Sequence, residues 1–327
     1  MKMDLSIIIP VYNCSEYLKA GFEKLRYLYS TDIAFEIIYV NDGSTDNSLE
    51  VLNELAENNL FVKVISQENQ GSSGARNTAI EAAQGKYIQF LDADDYIDIE
   101  EVLELLNNAI QDNLDAICYR LDYINEFGEH TLLKNENGVP FNQIYSGNEA
   151  LIYGYNPSSI CVFLFNTDFL NTNNLRFVPK ITHMDVEFTS RMMLVTKRIK
   201  FVDKVLYHYL QRQNSITKPQ SIERLMKLLH DEVVVASLIK NTLSNSFSNE
   251  LKNAIQKNYN SVVWNLLWRF ISKPKEVDFE FKIRCLQEIK NDGLYPIKGK
   301  LKTNFQNFSR FFFNQIKAFK LLLRLIS

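Results

Sequence analysis

A chain of 327 residues exceeds what a single hydrophobic core usually supports, about 250–300 residues, so one large domain with an appended piece is expected. An apolar content of 46% without any low-complexity tract excludes a disordered chain. The net charge of −3 excludes a general nucleic-acid binder, but it is uneven: from Gly293 onward there are seven Lys or Arg and no acid.

The first element expected is a buried parallel strand over 5–11, a β-branched run bounded by polar residues. Tyr17, Leu18, Phe22, Leu25 and Leu28 then recur at helical spacing over 15–29. A strand over 35–41 runs into Asp42-Gly43-Ser44-Thr45-Asp46, a turn rich in helix-capping side chains, and a helix over 48–57 follows. Strand 62–66, helix 73–83 and strand 87–91 complete an alternation that predicts a doubly wound, mostly parallel sheet. Ligands of such sheets lie beyond the carboxyl ends of the strands. Tyr12, Asp42 and Asp92 each follow such an end, which directs them to one crevice.

Further along, 100–108 reads as a helix, 115–124 as a strand and 127–130 as a turn between strands. Short elements mix between 144 and 209, with a helix over 182–195 and strands over 198–202 and 206–210. After Pro219 the pattern is helical, over 222–243, 251–271 and 276–291, and a tail helix covers 305–326. The expected organisation is an α/β domain over 1–218, a helical extension over 219–300 and a basic amphipathic tail helix over 301–327. Cys14, Cys118, Cys161 and Cys285 have neither zinc-site spacing nor the density of a disulfide framework, and read as reduced thiols. No apolar run reaches the ~18–20 residues needed to span a bilayer. No export signal is legible at the N-terminus. The expected location is the cytoplasm, peripheral at the inner face of the membrane.

The run from Lys86 to Asp95 is the most informative, an apolar strand that ends in Asp92, Asp94 and Asp95. Three crowded carboxylates repel one another unless a cation or hydroxyl donors sit among them, which points to a metal. Such a motif alone is weak, as are Tyr12, Asp42 and Arg76 taken singly. Joined in order and spacing to Ser6-Ile7-Ile8-Ile9-Pro10-Val11-Tyr12-Asn13, to Glu36-Ile37-Ile38-Tyr39-Val40-Asn41-Asp42-Gly43-Ser44 and to Asn69-Gln70-Gly71-Ser72-Ser73-Gly74-Ala75-Arg76-Asn77, it resembles the nucleotide-sugar-binding half of the family-two inverting glycosyltransferases with the GT-A fold. The resemblance covers roughly 4–98 strongly and 180–217 moderately.

By that resemblance Pro10 and Tyr12 flank the base, Asp42 accepts from base or ribose, Arg76 contacts the base or phosphate region, Asp92 serves ribose or metal, and Asp94 holds Mg²⁺ or Mn²⁺. The segment His183-Met184-Asp185-Val186-Glu187-Phe188 resembles the one that carries the catalytic base, so Asp185 is the expected base. Met184 stands where the family commonly has an acid, which makes Glu187 a competing candidate. Tyr207-His208-Tyr209, followed by Arg212 and Ser215, resembles the loop that closes over the diphosphate. Arg212 there offers a planar donor fork, and His208 completes the metal shell or touches phosphate.

The implied activity is inverting transfer of one sugar from a nucleotide diphosphate donor, a UDP-sugar first, to a hydroxyl of a glycan or lipid-linked glycan in surface polysaccharide assembly. A catalytically inactive nucleotide-sugar-binding or assembly subunit is the alternative. Gly71 and Gly74 lack the Gly-x-Gly-x-x-Gly spacing, which disfavours a dinucleotide-binding dehydrogenase. The tail carries Phe308, Phe311, Phe312 and Leu322 among Arg310, Lys317, Lys320 and Arg324; it suits a membrane surface of anionic lipid and equally suits packing on the body.

Overall fold

The computed structural model describes residues 3–125, 127–132, 138–156, 159–211, 221–273 and 276–326. The chain divides into two compact units, one holding the described residues of Met1–Lys180 and Met192–Arg212, the other those of Ile181–Arg191 and Gln213–Ser327.

The first unit opens with β1 (Met3–Val11), α1 (Ser15–Lys24), β2 (Phe35–Asp42), α2 (Ser48–Asn58), β3 (Val62–Gln67), α3 (Gly71–Ala82) and β4 (Gly85–Phe90). It continues with β5 (Tyr96–Ile97), α4 (Ile99–Gln111), β6 (Ala116–Ile124), β7 (His130–Leu132), β8 (Ile144–Tyr145), α5 (Gly147–Tyr153), β9 (Phe163–Asn166) and α6 (Thr167–Thr172). After α7 (Met184–Val195) the strand β10 (Ile199–Leu210) completes the sheet. The path runs β3-β2-β1-β4-β9-β6-β10-β5, with β7 on β6 and β8 on β10.

The half β3-β2-β1-β4 is parallel throughout, as the alternation predicts. Its strands are covered on both faces, so they need apolar residues on both sides: Leu5, Ile7, Ile8, Ile37, Ile38, Val40, Ile88 and Phe90 are all buried. Beyond β4 the sheet changes character, because β9 pairs antiparallel with both β4 and β6, while β6 and β10 are parallel. The fold is therefore α/β with a mostly parallel sheet and a helical C-terminal region.

Three boundaries differ from the sequence pattern. Helix α1 stops at Lys24, and Arg26–Ser30 continues as a 3₁₀ turn, so Leu25 and Leu28 are buried without one continuous helix. The strands expected over 198–202 and 206–210 are one strand, β10, whose register with β6 shifts between Phe201 and Val205 and again between Val205 and Tyr207. Such irregularities interrupt the period-two pattern without ending the strand. The tail is two helices rather than one.

The second unit contains α8 (Ile222–Asn241), α9 (Asn249–Ser272), α10 (Phe279–Asn291), α11 (Asn304–Phe313) and α12 (Ile316–Ile326). Ser221, Ser248, Asp278 and Thr303 cap α8, α9, α10 and α11 by accepting from the backbone N–H three residues on, which satisfies donors that a helix start leaves open. Leu229, Val235 and Ala236 of α8, Leu266 and Phe270 of α9 and Leu286 and Ile289 of α10 are buried. Phe313, Phe319 and Leu323 of the tail are buried as well, and Trp264 Nε1 donates to Ser309 Oγ at 2.9 Å. The inner face of the tail is thus packed, with Phe308, Phe311, Leu321 and Leu325 exposed.

Candidate active site

In the first unit the loops after β1 and β2 are stitched together. Asn13 has a left-handed backbone with φ of 52°, and its Oδ1 accepts from Thr45 N–H at 2.8 Å, while Asn13 N–H donates to Ser44 Oγ at 3.1 Å. Ser15 N–H donates to Asp46 Oδ2 at 3.1 Å. Burial alone would raise the Asp46 carboxyl, but hydrogen bonds from Ser48 and Ser15 outweigh it and hold the group down at about 2. This bracing leaves Tyr12 at the loop surface, 49% exposed, beside the half-buried Pro10.

Asp42 ends β2 and is buried. Its Oδ1 accepts from Gln67 Nε2 at 2.7 Å and from Gln70 N–H at 2.9 Å. Gln67 is the register partner of Asp42 across the β2–β3 pair, and Thr78 Oγ1 donates to Gln67 Oε1 at 2.6 Å. Gly43 has φ of 71°, and a Cβ there would lie 3.0 Å from Asn69 N, so the turn that presents Asp42 requires glycine.

Arg76 is buried on α3, and its Nη2 donates to Asp92 Oδ1 at 2.5 Å. The acidic loop is held from beneath by β10. Asp92 N–H donates to Tyr207 Oη at 3.3 Å, Tyr207 Oη–H donates to Asp95 Oδ2 at 2.6 Å, and Leu210 N–H donates to Asp95 Oδ1 at 2.9 Å. Burial pushes the Asp95 carboxyl up to about 7, and the Asp92 charge adds to the shift. Asp94 lies half-buried in the same turn, between Arg76-bound Asp92 and Tyr207-bound Asp95.

The structure thus gathers Asp92, Arg76 and Asp95, with Asp94 between the two acids, and builds the Asp42 cradle from the β2 and β3 ends. His208 does not join the acidic loop. Successive residues of a strand face opposite ways, and while Tyr207 meets Asp92 and Asp95, the His208 ring meets Asp122 and Asp98. Arg212 lies outside the described residues. Tyr207 and Gln67 are site residues that the sequence pattern did not single out. For Gln67 the usable signal was its place at the carboxyl end of β3.

Asp185 belongs to the second unit, in the first turn of α7, and is half-buried; its backbone carbonyl accepts from Thr189 Oγ1 at 2.6 Å. Glu187 is buried in a bidentate pair with Arg191, whose Nη2 donates to Glu187 Oε2 at 2.7 Å. The preceding loop is clamped by α8. Thr182 N–H donates to Asp231 Oδ2 at 2.8 Å, and His183, with φ of 57°, brings Nε2 to 3.6 Å from Glu232 Oε1, which also lies 3.3 Å from Arg269 Nη1. Glu232 is buried, and burial pushes its carboxyl up to about 7 despite the Arg269 charge.

The family whose sequence model is described as Glycosyl transferase family 2 matches residues 6–167. Among curated relatives, the uncharacterized glycosyltransferase YibD of Escherichia coli K12 is 28% identical over 310 residues, covering 93% of this chain and 88% of that protein. The putative glycosyltransferase EpsH of Bacillus subtilis is 30% identical over 264 residues, covering 77% of this chain and 74% of that protein. Among solved structures, Staphylococcus aureus TarS 1–349 in complex with UDP-GlcNAc aligns with a TM-score of 0.61 at 20% identity, over 89% of this chain and 88% of that one, a likeness of fold. The braced loops at the strand ends lie within the matched segment, and the mixed sheet is that of the neighbour: the chain belongs to glycosyl transferase family 2 and has a GT-A-type fold.

Proposed function

We propose that the protein moves a single sugar from a UDP-sugar to an acceptor hydroxyl of a glycan or lipid-linked glycan, with inversion at the anomeric carbon. The observation that carries this reading is the pair of preorganised carboxylate cradles at the ends of β2 and β4, the two neighbours of β1: Gln67–Asp42–Gln70, suited to base or ribose donors, and Arg76–Asp92, suited to the sugar-diphosphate side. Tyr12 and Pro10 offer a flat, half-exposed platform for the base. The UDP-GlcNAc bound by the structural neighbour TarS favours a uridine nucleotide here.

A divalent ion fits the acidic loop. The donors are all oxygen, as Mg²⁺ or Mn²⁺ prefers, and a cation beside Asp94 would offset the mutual repulsion of the neighbouring carboxylates. When bound, that ion stabilises the charge gained by the leaving nucleotide diphosphate. Arg76 holds Asp92 in place, and Tyr207 and Leu210 fix Asp95, so the loop geometry is set before the donor arrives. Asp185 takes the proton of the acceptor hydroxyl. Glu187 is the weaker candidate because its carboxylate is committed to Arg191. Arg212 completes the diphosphate contacts.

The proposed functional division follows the chain, with donor and base residues inside 1–218, an extension over 219–300 and a tail over 301–327. Among the described residues no helix is long and apolar enough to cross a membrane. A cytoplasmic, membrane-peripheral location, with the tail against anionic phospholipid, belongs to the same reading.

Nucleotide release from a panel of donors, with a glycan extract as acceptor, tests it. The wild type is expected to consume a UDP-sugar in a metal-dependent way. Asp185→Asn is expected to lower kcat by about 10²–10⁴-fold with little change in donor affinity. Equal turnover by the two proteins would remove Asp185 as the base, and no turnover of any donor by the wild type would favour an inactive binding subunit.

A further inference from the structure

On the other face of β10 lies a side-chain cluster that the proposed transfer does not use. In the parallel β6–β10 pair His208 is the register partner of Asp122, and in the antiparallel β6–β7 pair His130 lies opposite Ile124, two residues along from Asp122. Three strands therefore deliver two imidazoles and one carboxylate to one face of the sheet. Asp122 is buried, and its two oxygens are divided between the rings: Oδ1 is 2.7 Å from His208 Nδ1 and Oδ2 is 2.6 Å from His130 Nδ1. One ligand atom from each of the three lies within 4.8 Å of the others.

We propose that Asp122, His130 and His208 form a binding site for a transition-metal cation of the Zn²⁺ class, separate from the divalent ion of the donor site. Two imidazole nitrogens with one carboxylate oxygen are the donor set of such a metal, whereas the all-oxygen loop at Asp92–Asp95 suits Mg²⁺ or Mn²⁺.

The surroundings of His208 support the assignment independently of the three ligands. Its Nε2 is 3.1 Å from Asp98 Oδ2, so carboxylates stand at both ring nitrogens. Both contacts are hydrogen bonds at once only when each nitrogen carries a proton. A cation at the Nδ1 side satisfies the same oxygens with a neutral ring, and leaves Nε2–H to donate to Asp98. A carboxylate on the distal nitrogen is what orients a metal-bound imidazole and fixes its tautomer. Tyr96 stacks on the His208 ring with centroids 4.6 Å apart, and Lys24 Nζ sits 3.3 Å from the Tyr96 ring centre, which holds the ring plane. His130 is half exposed on its short strand and gives a cation a way in.

The test is titration of chelator-treated full-length protein with Zn²⁺ in the absence of nucleotide, by calorimetry, with Co²⁺ as a spectroscopic substitute. The wild type is expected to take up a single Zn²⁺. His130→Ala is expected to weaken uptake about 100-fold or more, and Asp98→Asn by about 10–100-fold through the orienting bond alone. Asp94→Asn is expected to leave Zn²⁺ uptake unchanged, which separates this site from the donor site. No uptake by the wild type, equal uptake by His130→Ala, or loss of uptake in Asp94→Asn would each overturn the proposal. The cluster would then be a hydrogen-bonded His–Asp–His group only, or the ion would belong to the acidic loop.

Discussion

Glu232 and His183 meet at the start of the loop that carries Asp185, and both are out of their ordinary electrostatic range. Burial lowers His183, with the Arg269 charge next, while burial raises Glu232 to about 7. Glu232 Oε2 and His183 Nε2 are buried without hydrogen-bond partners among the described residues. A carboxyl whose folded value lies above its unfolded one binds its proton more tightly in the folded state, so its contribution to stability is present at low pH and declines as pH rises from the unfolded value toward the folded one. Glu232→Gln removes this titration. The stability of the wild type relative to that variant is expected to fall by about 2–3 kcal/mol between about pH 4.5 and about pH 7 and to level off above. Thermal or denaturant unfolding of both proteins across that range checks it, and a pH-independent difference would contradict it. At this scale, residue types were legible where chemistry restricts them. Asp42 and Asp92 could be picked out because each stands at a strand end, and Arg76 because the segment 69–77, which leads into α3, carries the family resemblance. Tyr207 could not, since its hydroxyl acts on Asp92 and Asp95 from 112–115 residues away, a contact created only by tertiary folding.

Among the elements, those with local signals were the readable ones. The β-branched runs of β1 and β2 and the caps of α8 to α10 follow from adjacent residues. The antiparallel insertion of β9 between β4 and β6 depends on pairing between segments far apart in the chain, which periodicity does not encode. The tail shows the same limit. Its alternation of basic and aromatic residues fitted both a membrane face and a packed face, and each of the two helices has a buried and an exposed side, with Phe313, Phe319 and Leu323 inward and Phe308 and Phe311, 78% and 66% exposed, outward. The sequence from Gly293 onward carries seven Lys or Arg and no acid. Co-sedimentation with vesicles containing anionic lipid is expected to retain the wild type and to lose the Phe308→Asp/Phe311→Asp double variant, with retention weakened by salt. Equal retention of both proteins, or equal retention on neutral vesicles, would contradict a role for this face.

Across the whole molecule, what was legible is the nucleotide-facing half, because a parallel sheet places every strand end, and hence every functional loop, on one side. The most direct measurement is a crystal structure with UDP and Mn²⁺, using anomalous scattering to locate the ion. The account predicts uracil against Tyr12 within reach of Asp42, and the anomalous peak beside Asp94. A nucleotide bound away from the ends of β1 and β2, or an ion in the acidic loop that makes no contact with Asp94, would contradict it.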